Sequence, residues 1–145
     1  MEIKSILVPT DGSDNATIAM DMATKLAKQM GASIFSLFVI EKVPKVSTPA
    51  VRECDIVSAN AKKEAETALM KMKDKAEIAG VPYDQEIYIG VPADVIIAQS
   101  EYFDMIVMSS VGKSGLQKAI MGSVSQKVVA HALCPVTVVK PTDHL

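Results

Sequence analysis

Short apolar runs at residues 3–8, 33–40, 83–89, 103–108 and 135–140 alternate with stretches whose apolar residues recur every three or four positions. A chain of this pattern predicts a parallel sheet covered by helices on both faces. Pro9-Thr10-Asp11-Gly12-Ser13 stops the first run with turn chemistry. A helix then starts near Asp14, with Ala16, Ala19, Met20, Ala23, Leu26, Ala27 and Met30 on one face and Gly31 closing it. The longest helical stripe runs through Cys54, Val57, Ala61, Ala65, Ala68, Met72, Ala76 and Ala79, while Lys62, Lys63, Glu66, Lys73, Asp74 and Glu77 form a solvated face. Gly80 and Pro82 end it. Gly90-Val91-Pro92 turns into a third helix that passes Ile96 and Ile97 to about Ser100, with proline in the first turn. Residues 41–49 form a loop long enough for a lid or insertion.

Right-handed crossovers and an open, doubly wound, Rossmann-like five-stranded sheet of order 3-2-1-4-5 fit this α/β alternation. Ligands of such sheets bind at the carboxyl ends of the strands, where the strand order reverses. In this order the first and fourth strands are neighbours. The small polar turns at residues 10–13 and 109–114 then flank the switch point together.

The second of these turns belongs to Met108-Ser-Ser-Val-Gly112-Lys-Ser-Gly-Leu-Gln-Lys-Ala-Ile-Met-Gly122-Ser123-Val124. Small residues let main-chain N–H groups converge, and a helix amino end concentrates unpaired donors and positive dipole, an arrangement suited to phosphate. Ser123 and Gln126 have the spacing of a capping box, which predicts Ser123 as the N-cap of the fourth helix. Gly112-Lys113-Ser114 mimics the end of a Walker A loop, but the residue five positions before Gly112 is Val107, so the P-loop spacing is broken. Local sequence alone leaves open a plain tight loop in which the glycines bind nothing.

At 145 residues the chain is read as one domain, able to bury about two-thirds of its unfolded surface without a disulfide or metal. Its two cysteines, Cys54 and Cys134, have no CxxC partner, and His131 and His144 lack ligand companions. Fifteen basic residues against seventeen acidic ones give no electrostatic case for nucleic acid or a membrane surface. Neither a signal-peptide layout nor an apolar run of roughly 18 residues is present, so a cytoplasmic protein is expected.

The segments Ile6-Leu7-Val8-Pro9-Thr10-Asp11-Gly12-Ser13, Gly90-Val91-Pro92, Gly112 with Gly122-Ser123-Val124, and Cys134-Pro135-Val136-Thr137-Val138-Val139 resemble the universal stress protein family along essentially the whole chain. The resemblance implies a small α/β domain over residues 1–145, usually a homodimer, in one of two groups that differ in binding ATP. The ATP-binding group carries G-x2-G-x9-G-[ST]. Here Gly112, Gly122 and Ser123 match, Ser109 replaces the first glycine, and Val111 stands where a histidine is frequent. By position, the nucleotide contacts would be Pro9, Thr10 and Asp11, Val39 with its backbone toward adenine, and Met108, Ser109, Gly112, Gly122, Ser123 and Val124. Lys113 and Ser114 would lie near the phosphates, with Mg2+ carried by the triphosphate. Taken alone, Asp11 reads equally well as an Asx-turn residue and Lys113 as a solvated lysine.

Three functions follow as expectations. The first is an ATP-binding stress-response regulator. The second is a nucleotide-free dimeric interaction protein that pairs through the apolar edge strand Val136–Val139. The third is a slow ATPase in which Asp11 orients water.

Overall fold

The computed structural model describes residues 1–41, 58–113 and 121–141. The expected loop at residues 42–49, Cys54, Val57, Ser114 and His144 lie outside them. In chain order the elements are β1 (Ser5–Pro9), α1 (Asp14–Met30), β2 (Ser33–Glu41), α2 (Ala59–Ala79), β3 (Tyr83–Gly90), α3 (Pro92–Gln99), a 3-10 turn (Ser100–Tyr102), β4 (Met105–Ser109), α4 (Ser123–His131) and β5 (Val136–Val139). The sheet is wholly parallel with order β3-β2-β1-β4-β5, as the alternation predicts.

Residue parity along the central strands assigns the two faces. Ile6 and Val8 of β1 and Val107 of β4 pack with Met20, Ala23 and Ala27 of α1 and Met72 and Ala76 of α2. The intervening Leu7, Ile106 and Met108 pack on the opposite face with Ala93 and Ile96 of α3 and Val128 of α4. Two-sided burial is why these strands read as continuous apolar runs. Each fully buried leucine, isoleucine or methionine contributes about 1.5–3 kcal/mol relative to exposure.

Caps fix the helices between the strands. Ser13 accepts the Ala16 N–H at α1, Ser58 accepts the Ala61 N–H at α2, and Pro92 opens α3. Strand boundaries move by one to two residues from those the apolar runs suggest, because pairing and not hydropathy ends a strand. β1 starts at Ser5, where it pairs with Ser33, and Asp104 holds its entrance by accepting the Lys4 and Ser5 N–H groups at 2.9 and 3.1 Å. These main-chain donors, with the Ser5 hydroxyl and the Lys4 charge, hold the Asp104 carboxyl below its ordinary range. Phe103 precedes β4 and stacks on Phe35 instead, ring centroids 5.2 Å apart. Glu41 is the last residue of β2, paired with Gly90, where a loop was expected to begin.

The fourth helix corrects a sequence expectation. Gly122, not Ser123, is its N-cap, with extended backbone and no side-chain cap, and the Gln126 side chain donates to the Met121 carbonyl. The Gly122 N–H is tied to the Ser110 carbonyl at 2.7 Å, which fixes the helix entrance one residue early and leaves Ser123 exposed in the first turn.

Tyr83 sits on the edge strand β3, and its hydroxyl donates toward Gln85 Oε1 at 2.9 Å. Burial pushes this phenol up to about 12, with the Asp84 charge adding to the rise. Folding therefore favours the neutral phenol over a side chain that ionises near 10 when unfolded, so the linked stability is complete below pH 10 and is lost as pH rises toward 12. Urea titrations across that window should show Tyr83→Phe losing about 1–2 kcal/mol less than the wild type, after discounting for partial exposure.

Candidate functional site

β1 ends at Pro9, whose partner Leu37 lies four residues before the end of β2 at Glu41, and the order reversal lies between β1 and β4. Above this point opens a cleft of about 410 Å³. Every candidate residue within the described part of the chain lines it: Pro9, Thr10, Asp11, Val39, Met108, Ser109, Gly112, Lys113, Gly122, Ser123 and Val124. Ser114 lies outside the described residues.

The end of β1 also explains the position of Val39. The Leu37 carbonyl accepts the Thr10 N–H at 2.9 Å, so the main-chain groups of Leu37 point toward β1. Val39, two residues on, repeats that orientation after β1 has left the sheet. Its N–H and carbonyl therefore face the cleft, one donor and one acceptor on an otherwise apolar wall of Leu37, Ile96 and Met108.

The opposite wall is built from turns that hold one another. Thr10 Oγ1 accepts the Gly12 N–H and Asp11 Oδ1 accepts the Ser13 N–H, both at 3.0 Å, so the β1–α1 turn is tied by its own side chains. Gly12, with φ of 84°, takes the left-handed conformation that this turn requires. The other Asp11 oxygen, Oδ2, accepts the Lys113 N–H at 2.9 Å, clasping the β1–α1 turn to the segment after β4. Both carboxylate oxygens of Asp11 are thus engaged in holding turns.

Ser109 has negative φ and carries no backbone strain. Its hydroxyl donates to the Val111 carbonyl at 2.6 Å and accepts the Val111 N–H at 3.2 Å, bracing the turn from within. With Val111 and Lys113 donating to side chains and Gly122 to Ser110, the donors left to an incoming anion include the Ser123 and Val124 N–H groups, which have no helical carbonyl to bind. The macrodipole of α4 adds positive potential there.

Several lining residues escaped the sequence reading. Ser125 is buried, and its hydroxyl reaches the Ser110 and Gly122 carbonyls at 2.7 and 3.0 Å, fixing the helix entrance to the end of β4. A serine on the buried side of a helical stripe was its only sequence signal. Glu64 of α2 reaches the cleft and forms an ion pair with the Lys113 ammonium. Pro92 and Ile96 enter from α3, and only the three-dimensional packing brings them here. Among the described residues no group of His, Cys, Asp and Glu is placed to hold a metal ion. Cys134 is half-buried away from the cleft, and burial, with the Asp104 charge, pushes its thiol up.

A doubly wound parallel sheet with a switch-point cleft between two braced turns and a helix amino end places the molecule in the open-sheet α/β class. Within that class the chain belongs to the universal stress protein family, whose model matches residues 2–140. It is 40% identical over 139 residues to the universal stress protein MJ0531 of Methanocaldococcus jannaschii, covering 94% of this chain and 82% of that protein. The solved structure of universal stress protein UspA from Lactobacillus plantarum superposes with a TM-score of 0.82 at 27% identity, over 96% of this chain and 99% of that one. A universal stress protein solved in complex with cAMP shares the fold at a TM-score of 0.74 and 24% identity, over 96% and 98% of the two chains. No helix among the described residues is long and apolar enough to cross a membrane.

A Cβ placed on Gly112 would lie 2.6 Å from Asp11 Oδ2. Gly112→Ala should therefore displace the carboxylate, cost about 1–3 kcal/mol in denaturant unfolding, and speed hydrogen exchange at the Lys113 amide.

Proposed function

We propose that this chain is an adenine-nucleotide-binding regulatory protein of the stress response, with ATP as ligand and Mg2+ arriving on the triphosphate. The observation that carries this reading is the cleft's polarity among the described residues: an apolar wall with the main-chain edge of Val39, unpaired by β1, at one side, and the N–H groups of Ser123 and Val124 in the first turn of α4 at the other. The first suits a flat heteroaromatic base with a hydrogen-bonding edge, the second a phosphate. The cAMP complex of a protein of the same fold agrees with this, although at 24% identity that likeness speaks for the fold and the ligand assignment rests on this chain's own cleft.

In this reading Leu37, Val39 and Ile96 hold the base. Gly112, Gly122, Ser123 and Val124 surround the phosphates, with Lys113 beside them. Thr10, Asp11 and Ser109 keep the two turns in register, and Pro9 and Met108 close the floor. Ser114 is assigned to the phosphate end by its place in the motif.

The ligand should raise stability by about 2.7 kcal/mol at a hundredfold excess over its dissociation constant. Thermal unfolding with Mg-ATP, AMP, GTP or buffer should show a shift selective for the adenine nucleotides. A Cβ on Gly122 would stand 3.3 Å from the Ser110 carbonyl, so the branched side chain of Gly122→Val obstructs the helix entrance, and this variant should lose the shift while retaining a cooperative transition. An unchanged ATP shift in Gly122→Val would reject the site.

A second reading, a dimeric interaction protein that works without nucleotide, is favoured by β5. This strand is four residues long, lies at a sheet edge, and leaves its valines only half-buried. A second copy pairing there would cover apolar side chains and satisfy an open edge. Light scattering at micromolar concentration should give twice the mass of one chain; a monomer would remove β5 as a dimer contact. Soluble cytoplasmic operation suits both readings, as does the near balance of charge, which offers nothing to nucleic acid.

A further inference from the structure

The ionisable residues along the cleft have the wrong sign for an anion. Among the described residues, Asp11, Glu41 and Glu64 line it with three carboxylates, against the ammonium of Lys113. Asp11 is turned into the turns, where its oxygens accept main-chain N–H groups. Glu64 is different: it stands across the cleft on α2, and its carboxylate is spent on Lys113, the cation that lines the cleft among the described residues. Both side chains are about half exposed, so either can turn away at small cost.

Building on the nucleotide reading, we propose that Glu64 is a specificity-determining residue that sets how strongly the cleft weights the phosphate charge of its ligand. A phosphate reaching the α4 entrance must draw Lys113 from Glu64 and then tolerate the released carboxylate nearby. The penalty grows with the number of negative charges delivered. Glu64 thus lowers the preference for polyphosphates over the nucleoside and narrows the gap between ATP and AMP. The backbone donors of α4, which carry no counter-charge, act equally on each ligand's first phosphate. In low salt, neutralising Glu64 should favour ATP over adenosine by about 1.5- to fivefold, the range of one partly exposed charge pair.

Isothermal titration of wild type, Glu64→Gln and Glu64→Asp with adenosine, AMP, ATP and inorganic tripolyphosphate tests this at 20 mM and 300 mM salt. The expected result is a higher ATP-to-adenosine affinity ratio in Glu64→Gln, a smaller rise for AMP, tighter tripolyphosphate, attenuation of all three at high salt, and a ratio near wild type in Glu64→Asp. A ratio and a tripolyphosphate affinity equal in wild type and Glu64→Gln would overturn the proposal even where adenosine binds. Failure of adenosine, AMP and ATP to bind any of the three proteins would instead overturn the nucleotide reading. Tripolyphosphate then decides on Glu64 alone, supporting its role if Glu64→Gln binds the anion more tightly and refuting it if the two proteins match.

Discussion

Strand β1 pairs with β2 along one edge and with β4 along the other, and its Ile6, Leu7 and Val8 are buried on both faces. It also stops early. Because β2 runs on past Pro9 while β1 turns away into α1, the sheet has a notch at the position where its order reverses. The cleft, the exposed main-chain edge of Val39 and the meeting of the β1–α1 turn with the segment after β4 are all consequences of that one early exit. A longer β1 would pair with Val39 and fill the notch with sheet.

The notch keeps its shape through polar contacts that do not depend on the core. Asp11 holds the Ser13 and Lys113 amides, Ser109 braces Val111, and Ser125 fastens the α4 entrance to Ser110. These side chains consume most of the turn's own donors, so positive potential is concentrated at the first turn of α4. Among the described residues the open donors therefore lie at the first turn of α4, and not in an even ring of N–H groups. Ser109 fits this arrangement: in place of a glycine it supplies a hydroxyl that stabilises the turn without demanding an unusual backbone angle.

The topology was legible because the two periodicities are strong. Apolar runs such as 103–108 and helical stripes such as Ala16 to Ala27 report burial directly, and the order 3-2-1-4-5 follows from placing two polar turns side by side. The candidate cleft was legible where small residues recur at fixed spacing, as at Gly112 and Gly122, both of which line it. Misreadings arose where a tertiary contact overrides a local rule. Ser123 and Gln126 satisfy the capping-box spacing, but the bond from Gly122 to Ser110 moves the helix entrance by one residue. Glu64 and Ile96 escaped because each belongs to an ordinary amphipathic helix, and nothing along the chain marks which turn of that helix reaches the cleft.

The Asp104 staple lies at the other end of the sheet, where one carboxylate oxygen gathers the Lys4 and Ser5 amides and the Ser5 hydroxyl. Parallel strands all start at that end and all finish at the cleft. Anything joined ahead of residue 4 accordingly departs from the pole of the molecule remote from the cleft, and a copy tethered to a surface or a bead by that route presents its open face outward to solution.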